Sequence, residues 1–382
     1  MSQQPSHVVV GLSGGVDSAV AALLLKAQGH RVTAVFMKNW EEDDGDGHCA
    51  AAADLRDAEA VCRRLDIPLR AVNFSAEYWE RVFQQFLAEY RAGRTPNPDV
   101  ACNREIKFRA FLEYALDLGA ETIATGHYAR LGPGPVLRTA RDADKDQTYF
   151  LSAVPAPALA RTVFPLGGMT KAEVRARARA AGLPVHAKRD STGICFIGER
   201  RFRDFLARYL APRPGPVVSV EGRPLGRHEG LMYYTIGQRQ GLGIGGAGGA
   251  WYVAGKDTAG NTLIVAQGRD HPALWSGGLT ASAPHWIGPP PALPLACTAR
   301  IRHRQAPAPC RVAARDGGLE VAFETPQWAV APGQVVAFYD GERCLGGAVI
   351  EAAVTRAPGG APPAAGSTGG APAGPGPAPG SR

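Results

Sequence analysis

The sequence predicts a mixed α/β protein: an N-terminal parallel-sheet domain, a small central domain and a C-terminal antiparallel β-barrel. Three observations carry that expectation. Short β-rich runs alternate with helical patterns over the first half of the chain. Short alternating runs separated by turn residues then fill about 216–355. Between the two halves lies a Pro/Gly-punctuated stretch, PRPGPVV, that marks the change of regime.

The elements follow in order. HVVVGL reads as a strand, followed by a helix through about Lys26. RVTAVFM and AAADLRDAEAVCRRL repeat the pattern, and LRAVNF precedes EYWERVFQQFLAEYRAG. A helix over about Glu105–Leu118, with Asn103 as its N-cap, leads to the strand-like ETIATGHY. Strands separated by such helices imply a parallel sheet covered on both faces, with ligands beyond the carboxyl ends of the strands. GLSGGVDS, the segment after Phe36 and TGHY all fall at that edge. RRFRDFLARYL is a basic amphipathic helix, and the runs from GPVVSV and GLMYYT to GGAVIEAAV suggest two small β units with a break near 278–284. The expected domains are therefore 1–200, 201–280 and 281–356, with a disordered Pro/Gly/Ala tail over 357–382.

Composition narrows the setting. Of 382 residues, 45% are hydrophobic and 20% charged, as in ordinary globular proteins, and the net charge of +7 favours an anionic partner. No apolar run is long enough to span a bilayer, and MSQQPSHVVVGL lacks the features of a secretory or transit signal, so a cytoplasmic protein without membrane association is expected. Seven cysteines, an odd number with no CxxC pair, argue against a disulfide scaffold or a zinc ribbon, and no metal site is assigned.

SGGVDS, residues 13–18, stands where a strand gives way to a helix, so free N–H groups and the helix dipole face an anion. It lacks the lysine of the GxxxxGK[ST] loop. Gly14 and Gly15 permit close backbone approach, Ser13 and Ser18 offer hydroxyls, and Asp17 suits Mg²⁺ or a helix cap. A plain glycine turn with an Asp/Ser cap is the bland reading. The full string resembles the PP-loop of ATP pyrophosphatases, which cleave ATP between its α and β phosphates; the γ-phosphate is not transferred, so no such lysine is required.

Two cysteines sit in chemically suggestive surroundings. Cys102, in TPNPDVACNREIKF, falls at the expected helix N-terminus near Arg104 and Lys107, which favours a thiolate. Cys195, in KRDSTGICFIGERRF, follows a polar turn. Each is equally readable as a small buried hydrophobe.

GLSGGVDS, NPDVACNREIKF, ATGHYAR, KDQTYFL and DSTGICFIGER, in that order, resemble the tRNA-specific 2-thiouridylase family from about residue 7 to about 350. That resemblance implies a PP-loop (adenine nucleotide alpha hydrolase-like) domain followed by the two β domains. It implies that ATP adenylates the 2-oxygen of a wobble uridine and that sulfur replaces it, leaving AMP and pyrophosphate. Sulfur would arrive as a persulfide on Cys195, and Cys102 would attack that persulfide, either releasing sulfide or resolving an adduct. Both routes leave a Cys102–Cys195 disulfide for an external reductant. ATP with Mg²⁺ would sit on Gly11, Leu12, Ser13, Gly14, Gly15, Val16, Asp17, Ser18, Met37 and Gly126. Asn97, Pro98 and Asp99 would touch the base, with Asp99 an acid–base or orienting group. His127, Lys145, Asp146, Gln147, Arg302, His303 and Gln334 would contact tRNA in its anticodon region. A sulfur-relay persulfide donor protein and a monomeric chain complete the implied picture.

The basic segments RARAR (175–179), ERRFRDFLAR (199–208) and ARIRHRQ (299–305) differ in promise. The first reads as a solvated helix face, whereas Arg300, Arg302 and Arg304 fall on one face of a strand. Three rivals stand beside this reading. A PP-loop ligase or amidotransferase acting on a metabolite leaves the cysteine motifs without work. A non-catalytic RNA-binding protein predicts that both cysteines are dispensable. An iron–sulfur cluster on Asp99, Cys102 and Cys195 is the mechanistic alternative to the persulfide.

Overall fold

A computed structural model describes residues 6–40, 50–189 and 202–354. Its first sheet contains β1 (His7–Gly11), β2 (Arg31–Lys38), β3 (Leu69–Asn73), β4 (Thr122–Ala124) and, after a hairpin of β5 (Arg130–Leu131) and β6 (Leu137–Arg138), β7 (Thr162–Val163). The order is β3-β2-β1-β4-β7, all parallel. β1 is central and reads as a continuous apolar run because both its faces are covered. Val9 joins the core made with helical residues 75–117, including Phe83, Ile106 and Phe111. Val8 and Val10 join the opposite core, made with α1 (Val16–Ala27), α2 (Ala50–Leu65) and the helix Lys171–Ala180.

The last of these helices begins with a capping box: Thr170 accepts from the Glu173 N–H while Glu173 accepts from the Thr170 N–H. Its basic residues 175, 177 and 179 are half-buried or exposed, as a solvated face requires.

The expected helix at Glu105 begins earlier. Helical backbone runs from Pro98 through π-helical turns at Asn103–Ala110 to Asp117. Asn97, not Asn103, is the N-cap; its side chain accepts from the Val100 N–H at 3.3 Å. Pro98 at the first helical position explains the choice, since its fixed φ suits a helix start and its missing N–H would be unsatisfied there anyway.

The helix Phe202–Ala207 introduces the central domain, where β8 (Gly215–Ser219), β9 (Pro224–His228), β10 (Trp251–Asp257) and β11 (Thr262–Gln267) pair in the order β10-β11-β8-β9. GLMYYT is not the expected strand: Leu231–Tyr233 forms a 3₁₀ turn. Six strands then build the barrel: β12 (Trp275–Trp286), β13 (Leu295–Arg300), β14 (Ala308–Arg315), β15 (Gly318–Trp328), β16 (Val335–Asp340) and β17 (Arg343–Val354). Their order is β12-β15-β14-β13-β16-β17, and pairing of β12 with β17 closes the cylinder. Closure pairs the two outer strands of this six-stranded set with each other. Leu279, Val312, Val321, Val336, Phe338 and Ile350 fill it, fully buried.

β12 is a single strand across 278–284, where a break between units was expected, although its pairing with β17 shifts register there and Ala283 has φ +46°. The arginine stripe also dissolves: β13 ends at Arg300 and the chain turns over 301–305, so Arg300, Arg302 and Arg304 do not share a strand face. The β5–β6 hairpin of the first domain pairs Arg138 with Arg343 on β17, joining the first domain to the barrel. Among the described residues no helix is long and apolar enough to cross a membrane.

Candidate active site

The glycine loop is held closely from several sides. Gly14 has φ +74°, and a Cβ there would stand 2.4 Å from the Asp54 carbonyl oxygen, so side chains are excluded by both conformation and space. Gly126, just beyond β4, approaches the start of α1 so closely that a Cβ would lie 2.7 Å from the Ser18 nitrogen. Gly11 packs against the Met37 side chain, where a Cβ would be 3.1 Å from Cε. Ser18 Oγ accepts from the Ser13 N–H at 3.2 Å and donates to the Gly15 carbonyl at 3.1 Å, fixing the turn. Gly15 occupies the N-cap of α1 without a side-chain cap. Asp17 is therefore not the cap.

Asp17 instead meets a lysine. Lys171 Nζ donates to both Asp17 carboxylate oxygens at 2.8 Å, and the Tyr128 hydroxyl donates to Oδ1 at 2.8 Å. A second lysine, Lys188, donates to the Gly14 carbonyl at 3.1 Å and pairs with Asp54 and Asp57 at 2.7 and 2.5 Å. Two cations thus flank a loop whose own sequence carries none. Sequence reasoning missed both, because Lys171 lies 154 residues from Asp17 and Lys188 174 from Gly14. The capping box that starts the helix at Lys171 marks the helix but not its partner.

The segment leading to Cys102 is a meeting place of all three domains. The Thr95 N–H donates to the Pro332 carbonyl at 2.9 Å. Gln334 Nε2 donates to the carbonyls of Thr95 and Pro96 at 2.8 and 3.2 Å. From the central domain, Thr235 meets the Thr95 hydroxyl at 3.3 Å and Lys256 donates to the Gly93 carbonyl at 2.9 Å. Gly333, at φ +89°, lies so close that a Cβ would be 2.9 Å from the Thr95 backbone. Beyond this clamp, Asn97 caps the helix, Pro98 is buried and Asp99 half-buried. Cys102 is 1% exposed, in the second turn rather than at the N-terminus. Arg104, expected beside the thiol, pairs with Glu105 at 2.7 Å. Asn103 donates to the Phe150 carbonyl at 3.1 Å. Cys195 lies outside the described residues.

Comparison with known proteins then decides the family. Residues 6–199 match the tRNA methyl transferase HUP domain, 203–267 the tRNA methyl transferase PRC-barrel domain, and 276–350 the Aminomethyltransferase beta-barrel domain. The tRNA-specific 2-thiouridylase MnmA of Hahella chejuensis is 59% identical over 90% of this chain and 97% of its own length. The chain belongs to the tRNA-specific 2-thiouridylase family. The namesake from Methylococcus capsulatus is also 59% identical, over 90% of this chain and 96% of its own. Among solved structures, NMN synthetase from Francisella tularensis is similar at 20% identity and TM-score 0.32, covering 49% of this chain and 67% of that one. The U34-tRNA thiolase NcsA from Methanococcus maripaludis, with its 4Fe-4S cluster, is similar at 18% identity and TM-score 0.34, covering 54% and 65%.

Several residues that the 2-thiouridylase resemblance assigns to tRNA make contacts within the protein in this structure. Asp146 is buried and accepts from the Ala140 N–H, the Thr148 hydroxyl and Arg300 at 3.0, 2.8 and 2.7 Å. Gln147 accepts from the Tyr128 N–H at 2.9 Å. His127 pairs with Thr125 at 2.8 Å between Phe108 and Phe164, and burial, with Lys107 adding to it, holds its pKa well below the usual histidine range. Arg302 lies over the Trp328 ring and donates to the Ile236 and Ala329 carbonyls at 3.2 and 2.8 Å. His303 pairs with the Asp146 carbonyl at 2.8 Å and stacks near Phe150. Lys145 is half-buried.

Proposed function

We propose that this 2-thiouridylase family member is an ATP-dependent tRNA uridine 2-sulfurtransferase. It replaces the 2-oxygen of a wobble uridine with sulfur. The observation that carries the reading is the clamp on Thr95 and Pro96, through which the central domain and the barrel both fix the segment entering Asn97–Cys102. A ligase acting on a small metabolite has no need for two further domains to grip that segment. The reading assigns catalysis to residues 1–200, a connecting role to 201–280 and RNA contact to 281–356.

The loop suits a nucleotide. Gly15, where a Cβ would meet nothing nearer than Ser13 Oγ at 3.5 Å, leaves the backbone bare at the start of α1, and Lys171 and Lys188 bring positive charge beside it. ATP would lie on Gly11–Ser18, Met37 and Gly126, with Asp17 the loop carboxylate that would face Mg²⁺. ATP supplies the AMP that turns the uridine oxygen into a leaving group. Lys171 would exchange Asp17 for phosphate oxygens, so that its charge meets the anion from another element. Asn97, Pro98 and Asp99 would position the base, Asp99 beside the reacting carbon.

Sulfur is proposed to arrive from a persulfide donor protein and to rest on Cys195. The terminal sulfur attacks C2 and displaces AMP; the Cys102 thiolate then attacks Cys195 Sγ, freeing 2-thiouridine and leaving a Cys102–Cys195 disulfide for an external dithiol to reduce. With Cys102 1% exposed, that step requires the start of its helix to open as RNA binds. A monomer working in the cytoplasm is the proposed form.

Mass spectrometry of tRNA nucleosides from cells lacking this protein tests the function. Loss of wobble 2-thiouridine derivatives alone is expected, and their persistence refutes the proposal. Cys102→Ser and Cys195→Ser are each expected to abolish thiolation; thiolation retained by both would remove the persulfide route.

A further inference from the structure

Two thiols far from the glycine loop face each other in the barrel. Cys297 on β13 and Cys310 on β14 are direct partners in the antiparallel register, with their Sγ atoms 3.8 Å apart. Opposed residues of an antiparallel pair have Cα atoms about 4.5–5.5 Å apart, within the roughly 4.4–6.8 Å that a disulfide spans. Bond formation therefore asks for a side-chain rotation and no backbone shift.

The two environments are unequal in a useful way. Cys310 is buried in the barrel core with Val312 and Phe323, whereas Cys297 is half-buried and packs against that core from its edge. The hydrogen bond shared with Cys310 draws the Cys297 thiol below its usual range, against the opposing effect of burial. The same bond, with burial, pushes Cys310 up. Cys297 is thus the reachable and more acidic sulfur, and Cys310 the protected one behind it. The 13 residues of sequence separation enclose the turn that carries Arg302 and His303.

We propose that Cys297 and Cys310 are a redox-active dithiol that closes reversibly to a disulfide across the base of this hairpin, with a low-molecular-weight disulfide as oxidant. The Cys297 thiolate attacks one sulfur of the oxidant, forming a mixed disulfide and expelling one small thiolate. Cys310 gives up its proton and attacks Cys297 Sγ, expelling the second. Two protein thiols are oxidised to one disulfide while one small disulfide is reduced to two thiols.

Peptide mapping of the folded full-length protein tests this, after incubation with oxidised glutathione, acid quench, alkylation and digestion. The expected product links the Cys297 and Cys310 peptides, with loss of both alkylatable thiols, and dithiothreitol reverses it. Cys310→Ser is expected to stop at a glutathione adduct on Cys297, and Cys297→Ser to leave Cys310 alkylatable. The proposal is overturned if both thiols stay alkylatable in excess oxidised glutathione. It is also overturned if wild type halts at the Cys297 adduct, or if the link forms only after unfolding in urea. Because the link is read on named peptides, any Cys102–Cys195 disulfide is scored separately.

Discussion

Two aspartates illustrate how differently one kind of ion pair can serve a protein. Asp146 and Arg300 meet at 2.7 Å with side chains 1% and 13% exposed, and the remaining acceptor capacity of Asp146 goes to Ala140 and Thr148. Asp17 and Lys171 meet at 2.8 Å, but Asp17 is 32% exposed and stands on the glycine loop. The first pair ties the first domain to the barrel from inside. The second holds a cation beside the loop at a part-exposed pair, which the proposed exchange for phosphate requires. Burial and saturation, more than distance, separate a permanent tie from a replaceable one.

That contrast is broken most directly at Asp146. Removing one partner of a buried pair leaves an uncompensated charge, so Asp146→Ala is expected to lose about 3–5 kcal/mol in urea unfolding. A loss under about 1 kcal/mol would erase the distinction from the Asp17 pair.

Lys256 sharpens it, as a half-buried cation whose contact is a carbonyl. Burial holds its pKa at about 8, against the usual 10.5. Between those values the unfolded chain binds more protons than the folded one, so stability rises with pH from about 8 to about 10.5, by roughly 3 kcal/mol in all. Lys256→Met is expected to flatten that rise in urea midpoints measured from pH 7 to 10; an unchanged slope would place the effect elsewhere.

Gln334→Ala removes two hydrogen bonds to the Thr95–Pro96 clamp and is expected to cost about 1–3 kcal/mol. Its KM for tRNA should rise more than its KM for ATP, and equal rises would count against a role in the substrate segment. Lys171→Met comes last on the stability scale, within about 1 kcal/mol of wild type by urea unfolding. Its signature is instead a fall of about tenfold or more in AMP formation, and undiminished turnover would leave Asp17–Lys171 a structural pair after all.

The architecture was legible because its signals are local. Val8–Val10 is unbroken because both faces of β1 are covered, and SGGVDS carries its strand-to-helix turn in its own glycines. The helix start at Asn97 was legible too, had Pro98 outweighed the asparagine after Cys102. What escaped was non-local. Nothing near Lys171 in the sequence points to a partner 154 residues away, and nothing in RIRHR shows that Arg300 turns inward to Asp146 while Arg302 lies over Trp328. Charge in a pattern suggested exposure; desolvated pairing and ring stacking gave these arginines other partners.

The clamp at Thr95 also has a consequence for how the protein is made. Gln334 follows Thr95 by 239 residues, and at about 5–20 residues per second the ribosome needs roughly tens of seconds to cover that interval. Throughout it, the glycine loop already has its strand and helix, while the segment before Cys102 lacks its barrel partner. The packing around the segment before Cys102 is therefore completed only on a chain that has been translated nearly to its final strand.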